Sequence, residues 1–144
     1  MYSNFVMSFE EAKIIGSSLN SNYQADTFLV SPSSSITSGK GSIIIGKPHS
    51  MRIFKLAQSS EEIFYESVKS MTYLSVYGTR TTPLTERAEI IVKSIKQVFP
   101  SIIPNVVVIP HTEEEMPVVY GPTKGTAYFS EPEFGDHVFI VLTW

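Results

Sequence analysis

Apolar positions along this chain of 144 residues repeat with a helical period in three stretches and fall in short runs or alternation elsewhere. Between 8 and 20, Phe9, Ala12, Ile15 and Leu19 share one helical face. Ser8 and Glu11 have capping-box spacing, which satisfies amide donors left open at a helix start. Gly16 weakens this helix through its backbone entropy. A second capping box, Ser59 and Glu62, opens a helix whose stripe is Phe64, Val68, Met71 and Leu74. Gly78 is expected to stop it in a left-handed conformation. A third helix follows, with Thr82 as N-cap and Pro83 at the first helical position. Its apolar face is Leu84, Ala88, Ile91, Val92, Ile95 and Phe99, and Phe99-Pro100 closes it. Glu86 and Glu89 early, with Lys93 and Lys96 late, complement the helix dipole, and Glu89–Lys93 makes an i,i+4 pair.

The other apolar runs read as strands. Thr27–Val30 is short; Ser42–Gly46, with Ile43, Ile44 and Ile45, has the continuous apolar character of a strand covered on both faces. Met51–Leu56, Val106–Ile109, Val118–Tyr120, Thr126–Phe129 and Val138–Thr143 complete the set. The Ser/Gly-rich stretch 31–41 reads as a flexible loop. Short Pro and Gly turns between short strands favour antiparallel neighbours. The expectation is a single α+β domain over 1–144: one mixed, mostly antiparallel sheet of about five to six strands, with three helices packed mainly on one face.

Composition narrows the function classes. A content of 42% hydrophobic and 17% charged residues belongs to a chain that folds around a core. With no cysteine there is no disulfide, no thiol catalysis and no zinc site built on thiolates. No run approaches the roughly 18 apolar residues of a membrane helix. The opening Met1-Tyr2-Ser3-Asn4-Phe5 lacks the basic and apolar regions of a signal peptide, so the expected location is cytoplasmic with no membrane contact. A net charge of −3 and a pI near 5.6 weigh against nucleic acid as partner.

That charge is unevenly placed. From Pro100 onward there are six acids, Glu113, Glu114, Glu115, Glu131, Glu133 and Asp136, against one base, Lys124, a net of −5. The preceding residues hold ten bases and eight acids, a net of +2. Tyr120, Tyr128, Phe129 and Phe134 lie between the acids, and aromatics inside a charged rim have the makeup of a protein-binding patch. The preferred reading is a small non-enzymatic binding protein of the inhibitor or immunity-protein kind. It would engage a basic partner such as a toxin or nuclease through Glu113, Glu114, Glu115, Glu131, Glu133, Asp136, Tyr120 and Phe134.

Other chemistry is thinner. Ser38-Gly39-Lys40-Gly41-Ser42 departs from a phosphate-binding P-loop: the leading Gly position holds Ser34, Gly41 follows the Lys, and a strand rather than a helix comes next. Arg80 and Thr82 precede a helix start, where free amides favour an anion. His49 and His111 each follow a strand and His137 precedes one, so an antiparallel last strand brings the three to one sheet edge with Glu113 nearby. An alternative is therefore a small enzyme or ligand binder with a His111, His49, His137 and Arg80 pocket. A second alternative is a self-assembling subunit of the viral or phage type, pairing its exposed edge strands into a homo-oligomer. No Gly-x-Ser-x-Gly elbow occurs, and Asp136 cannot orient the neighbouring His137, since adjacent side chains on a strand point to opposite faces. No residue is assigned as catalytic, and no metal or cofactor is assigned.

Overall fold

The computed structural model describes residues 8–24, 26–32, 34–39, 42–44, 50–55, 65–121 and 125–143. His49, the Ser59/Glu62 capping box, Phe64 and Lys124 lie outside the described residues. The element order is α1 (Phe9–Asn22), β1 (Asp26–Ser31), β2 (Ile36–Ser38), β3 (Ser42–Ile44), β4 (Ser50–Lys55), α2 (Tyr65–Gly78), α3 (Leu84–Val98), β5 (Ile103–Ile109), β6 (Val118–Tyr120), β7 (Gly125–Phe129), a 3-10 turn at Pro132–Phe134, and β8 (His137–Thr143).

The α+β class holds, with three helices and antiparallel strand pairing throughout the described residues. The strands divide into two sheets, ordered β3-β4-β1-β6 and β2-β5-β8-β7, where one had been expected. Alternation along the central strands explains the division. On β1, Phe28 and Val30 pack against Phe9 and Ala12 of α1, while Leu29 faces Val107, Ile109 and Val141 of the second sheet. On β5, Val106 and Val108 face Ala88, Ile91 and Ile95 of α3, while Val107 and Ile109 face Leu29. Both strands are buried on both sides, so the layers run α1, first sheet, second sheet, α2 with α3. The helices therefore cover two outer faces. A chain whose central strands are apolar on both sides has to be covered twice.

Several local expectations change with the packing. Ser8 Oγ accepts from Glu11 N at 3.1 Å and donates to Glu11 Oε1 at 3.0 Å, so the first cap forms as expected. Gly16 is a seating point: a Cβ there would lie 2.8 Å from Val30 Cγ2 and 3.0 Å from Tyr120 Cδ2. Ile36–Ser38, inside the expected loop, is an edge strand paired with Val106–Val108. Its partner supplies the ladder that its own composition does not advertise.

The buried face of α2 is Val68, Thr72, Ser75 and Val76, followed by Thr79, whereas Leu74 is 62% exposed. The expected stripe was misphased because small hydroxyl residues occupy the buried positions. Gly78 is not left-handed. Thr79 Oγ1 ends the helix instead, donating to Ser75 O at 2.7 Å and accepting from Arg87 Nε at 3.1 Å. On α3 the cap position is Pro83, without a side-chain bond, and Thr82 only closes a turn onto Thr79 O. The Glu89–Lys93 pair forms at 3.0 Å.

Arg87 is the largest fully buried side chain, 1% exposed. Its Nη2 donates to Val76 O at 2.7 Å and its Nη1 to Asp136 O at 3.1 Å. Burial pulls the guanidinium below its ordinary value, and Asp136 opposes that shift. Arg87 thus ties the end of α2 to α3 and to the turn entering β8. Arg87→Ala removes the guanidinium donors from Val76 O, Thr79 Oγ1 and Asp136 O and opens a cavity, and is expected to cost about 3 kcal/mol or more. Urea denaturation checks this; a loss under about 1 kcal/mol, the worth of one ordinary hydrogen bond, would show that the clamp is dispensable.

Candidate functional site

Ile109 at the end of β5 stands opposite His137 at the start of β8. The residue two beyond β5 and the residue one before β8 therefore meet at one end of the second sheet. There Asp136 Oδ1 accepts from His111 N at 3.0 Å and from His111 Nδ1 at 3.1 Å. This bond assigns the proton of the neutral ring to Nδ1 and leaves Nε2 as an acceptor. The His111 side chain is 73% exposed and Asp136 30%. Asp136 orients His111, not its neighbour His137. The backbone of Asp136 is in turn held from below by buried Arg87.

Gly135 lets the turn approach the end of α2. Its φ is +74°, and a Cβ there would lie 2.7 Å from Arg80 O. The result is a cleft of about 580 Å³ lined by Arg80, His111, Ser130, Pro132, Asp136 and His137. The Arg80 guanidinium lies 4.0 Å from the Tyr77 ring centroid and Nη1 donates to Tyr77 O at 2.9 Å. The Tyr77 contact is both a cation–π and a helix-end interaction, so Arg80 leans toward its own helix. The His137 ring stacks on Tyr128 with centroids 5.9 Å apart and planes at 17°. Its Nδ1 is buried with no hydrogen-bond partner among the described residues, and burial raises the Tyr128 phenol above its ordinary value.

The expected pocket residues are thus partly assembled: Arg80, His111 and His137 line one cleft. Thr82 is outside its lining, and His49 lies outside the described residues. Among the described residues no three His, Asp or Glu side chains converge as a metal-binding group. No described helix is long and apolar enough to cross a membrane.

The acids share this end of the molecule. Glu114, Glu115, Glu131 and Glu133 are exposed, on the segment after β5 and the turn before β8. Glu113 bonds Ser34 Oγ and, at 3.2 Å, accepts from Glu115 N, which orders the first loop. Cations approach the border. Arg80 lines the cleft, and Lys13 on α1 is raised above its ordinary value first by its bond to Glu10, with Glu115 a smaller contributor.

The two expected aromatic anchors lie elsewhere. Phe134 is 4% exposed, set edge-on to Tyr73 at 5.6 Å, and belongs to the core against α2. Tyr120 is half-buried under α1. A turn of four residues lets Phe134 fold inward, and β6 spends its aromatic on seating the first helix. Sequence reading missed Arg87, Gly135 and Ser130. Arg87 was detectable, because it falls between Leu84, Ala88 and Ile91 on an otherwise apolar stripe. Gly135 and Ser130 gave no signal separable from ordinary turn residues.

No protein-family model, no curated protein and no solved structure matches this chain. Gly135→Ala should destabilise the fold by about 2 kcal/mol, from left-handed strain together with the carbonyl clash. Thermal denaturation checks it, and an unchanged melting temperature would mean the turn re-forms without the close approach to Arg80.

Proposed function

We propose that this protein is a small binding protein that docks a basic surface of another protein on the end of the second sheet. The observation that carries the reading is the His111–Asp136 bond, with Ile109 opposite His137, which gathers the two acid-bearing loops at one site. The two loops carry five glutamates, and the cleft between them is lined by Asp136 and one cation among its described lining, Arg80, which leans onto Tyr77. Grouped negative charge on loops tied to a sheet accelerates encounter with a cationic partner and selects against acidic ones. The anchor into the cleft comes from the partner, because Phe134 is buried.

The test is binding of an oligo-arginine peptide as the ionic strength is raised, with E113Q/E114Q/E115Q as comparison. The expected outcome is affinity that falls with salt and is about tenfold weaker in the triple variant. Equal affinity of both proteins at every salt concentration would remove the reading.

A second reading, a small-ligand or acid–base pocket, is favoured by one specific feature: His111 is held through Nδ1 by a carboxylate, the arrangement that fixes a ring for proton transfer at Nε2. It expects small molecules that move the ring signals of His111 and His137 together in a fragment screen followed by NMR. A screen in which no compound perturbs both rings would discard it.

A further inference from the structure

The cleft at the end of the second sheet holds opposite charges that do not pair with each other. Arg80 and Asp136 both line it. Their backbones are close, since a Cβ on Gly135, the residue before Asp136, would lie 2.7 Å from Arg80 O. Among the described residues, however, Asp136 pairs with His111 and Arg80 makes no ion pair. Each side chain is fixed on one side and open on the other. Asp136 engages His111 through Oδ1, so Oδ2 has no hydrogen bond among the described residues. Arg80 lies on the Tyr77 ring and bonds Tyr77 O through Nη1, which leaves Nε and Nη2 for another acceptor. His137 lines the same cleft, and its buried Nδ1 lacks a donor among the described residues, a costly state for a polar atom. Two exposed acids, Glu131 and Glu133, alternate with the lining residues Ser130 and Pro132.

We infer that this cleft binds a free α-amino acid with a cationic side chain, its carboxylate on Arg80 and its ammonium on Asp136. The inference rests on the small-ligand reading of the cleft and names the ligand class. Charge complementarity selects that class. A simple anion drawn to Arg80 meets Asp136 and the acids beside it, and a simple cation drawn to Asp136 meets Arg80. A molecule with both charges on one carbon answers both groups at once. The planar guanidinium fork matches a carboxylate, and an ammonium has three donors for the carboxylate and imidazole acceptors on the other side. A residue within a polypeptide has neither head charge, so the same pair of groups distinguishes a free amino acid from a protein segment. The side chain is selected by Glu131 and Glu133, which attract a cation and oppose an acid. At about 580 Å³ the cleft falls within the range of roughly 300–1,000 Å³ usual for small-molecule sites.

Titration of the full chain with L-arginine, followed by calorimetry and by the ring NMR signals of His111 and His137, tests it. The expected result is saturable binding that moves both rings. Agmatine, which lacks the carboxylate, N-acetyl-L-arginine, which lacks the ammonium, and L-glutamate should each bind about tenfold more weakly or worse, as loss of one charge-assisted hydrogen bond requires. Arg80→Gln, at an exposed position, should weaken L-arginine by about tenfold, leave agmatine unchanged and keep the melting curve of a folded chain. Agmatine that binds as tightly as L-arginine overturns the inference, as does an R80Q variant that binds L-arginine like the parent. If other small molecules move both rings and L-arginine does not, the inference falls and the small-ligand reading stands; if no compound moves them, both fall.

Discussion

A single buried guanidinium organises the end of the second sheet where the cleft lies. Arg87 projects from α3 into the junction where α2 ends and β8 begins, and its neighbours are three oxygens from two separate segments. Two are backbone carbonyls, Val76 O and Asp136 O, and the third is the Thr79 hydroxyl that terminates α2. A charge buried this deeply is tolerable only when its donors are used, and burial without them is costly. Asp136 adds a nearby opposite charge without a direct side-chain bond to Arg87 among the described contacts. The arginine therefore reads as a joint. Its planar fork reaches several acceptors at fixed angles, which a lysine ammonium cannot reproduce.

Everything at the site follows from that joint and from one register. The Arg87 bond holds the Asp136 backbone, so the Asp136 carboxylate is free to turn outward toward His111. Gly135, with its left-handed backbone, lets the same turn pass against Arg80. The register Ile109 opposite His137 brings the two loops to the same height at the sheet end. The cleft, the His111–Asp136 pair and the gathered acids are three views of one arrangement.

The four-layer order also separates two kinds of surface. At the sheet end, charge is concentrated on loops and the aromatics have turned inward. Along β7 and the Ser70–Gly78 part of α2 there is no charged residue, and Tyr73, Leu74 and Tyr77 remain exposed. A polar loop surface suits steered, reversible encounter.

Much of this was legible in the residues alone. Strong helical periodicity specified α3, with its Glu89–Lys93 pair, and the capping box specified the start of α1, because these depend on neighbours three or four positions away. The α+β class and antiparallel pairing followed from strand spacing. The convergence of His111 and His137 followed from an antiparallel last strand. What tertiary structure alone decided was which faces are covered. Doubly apolar strands such as β1 are compatible with one sheet between helices or two sheets back to back, and only packing against Val107 and Val141 selects the second. The same holds for Phe134 and Tyr120, whose side chains go inward because partners distant in sequence are there to receive them. Asp136 reaching His111, and Arg87 reaching Asp136, span 25 and 49 positions in the chain. Contacts of that separation leave no periodic trace, since their geometry exists only once the layers have closed.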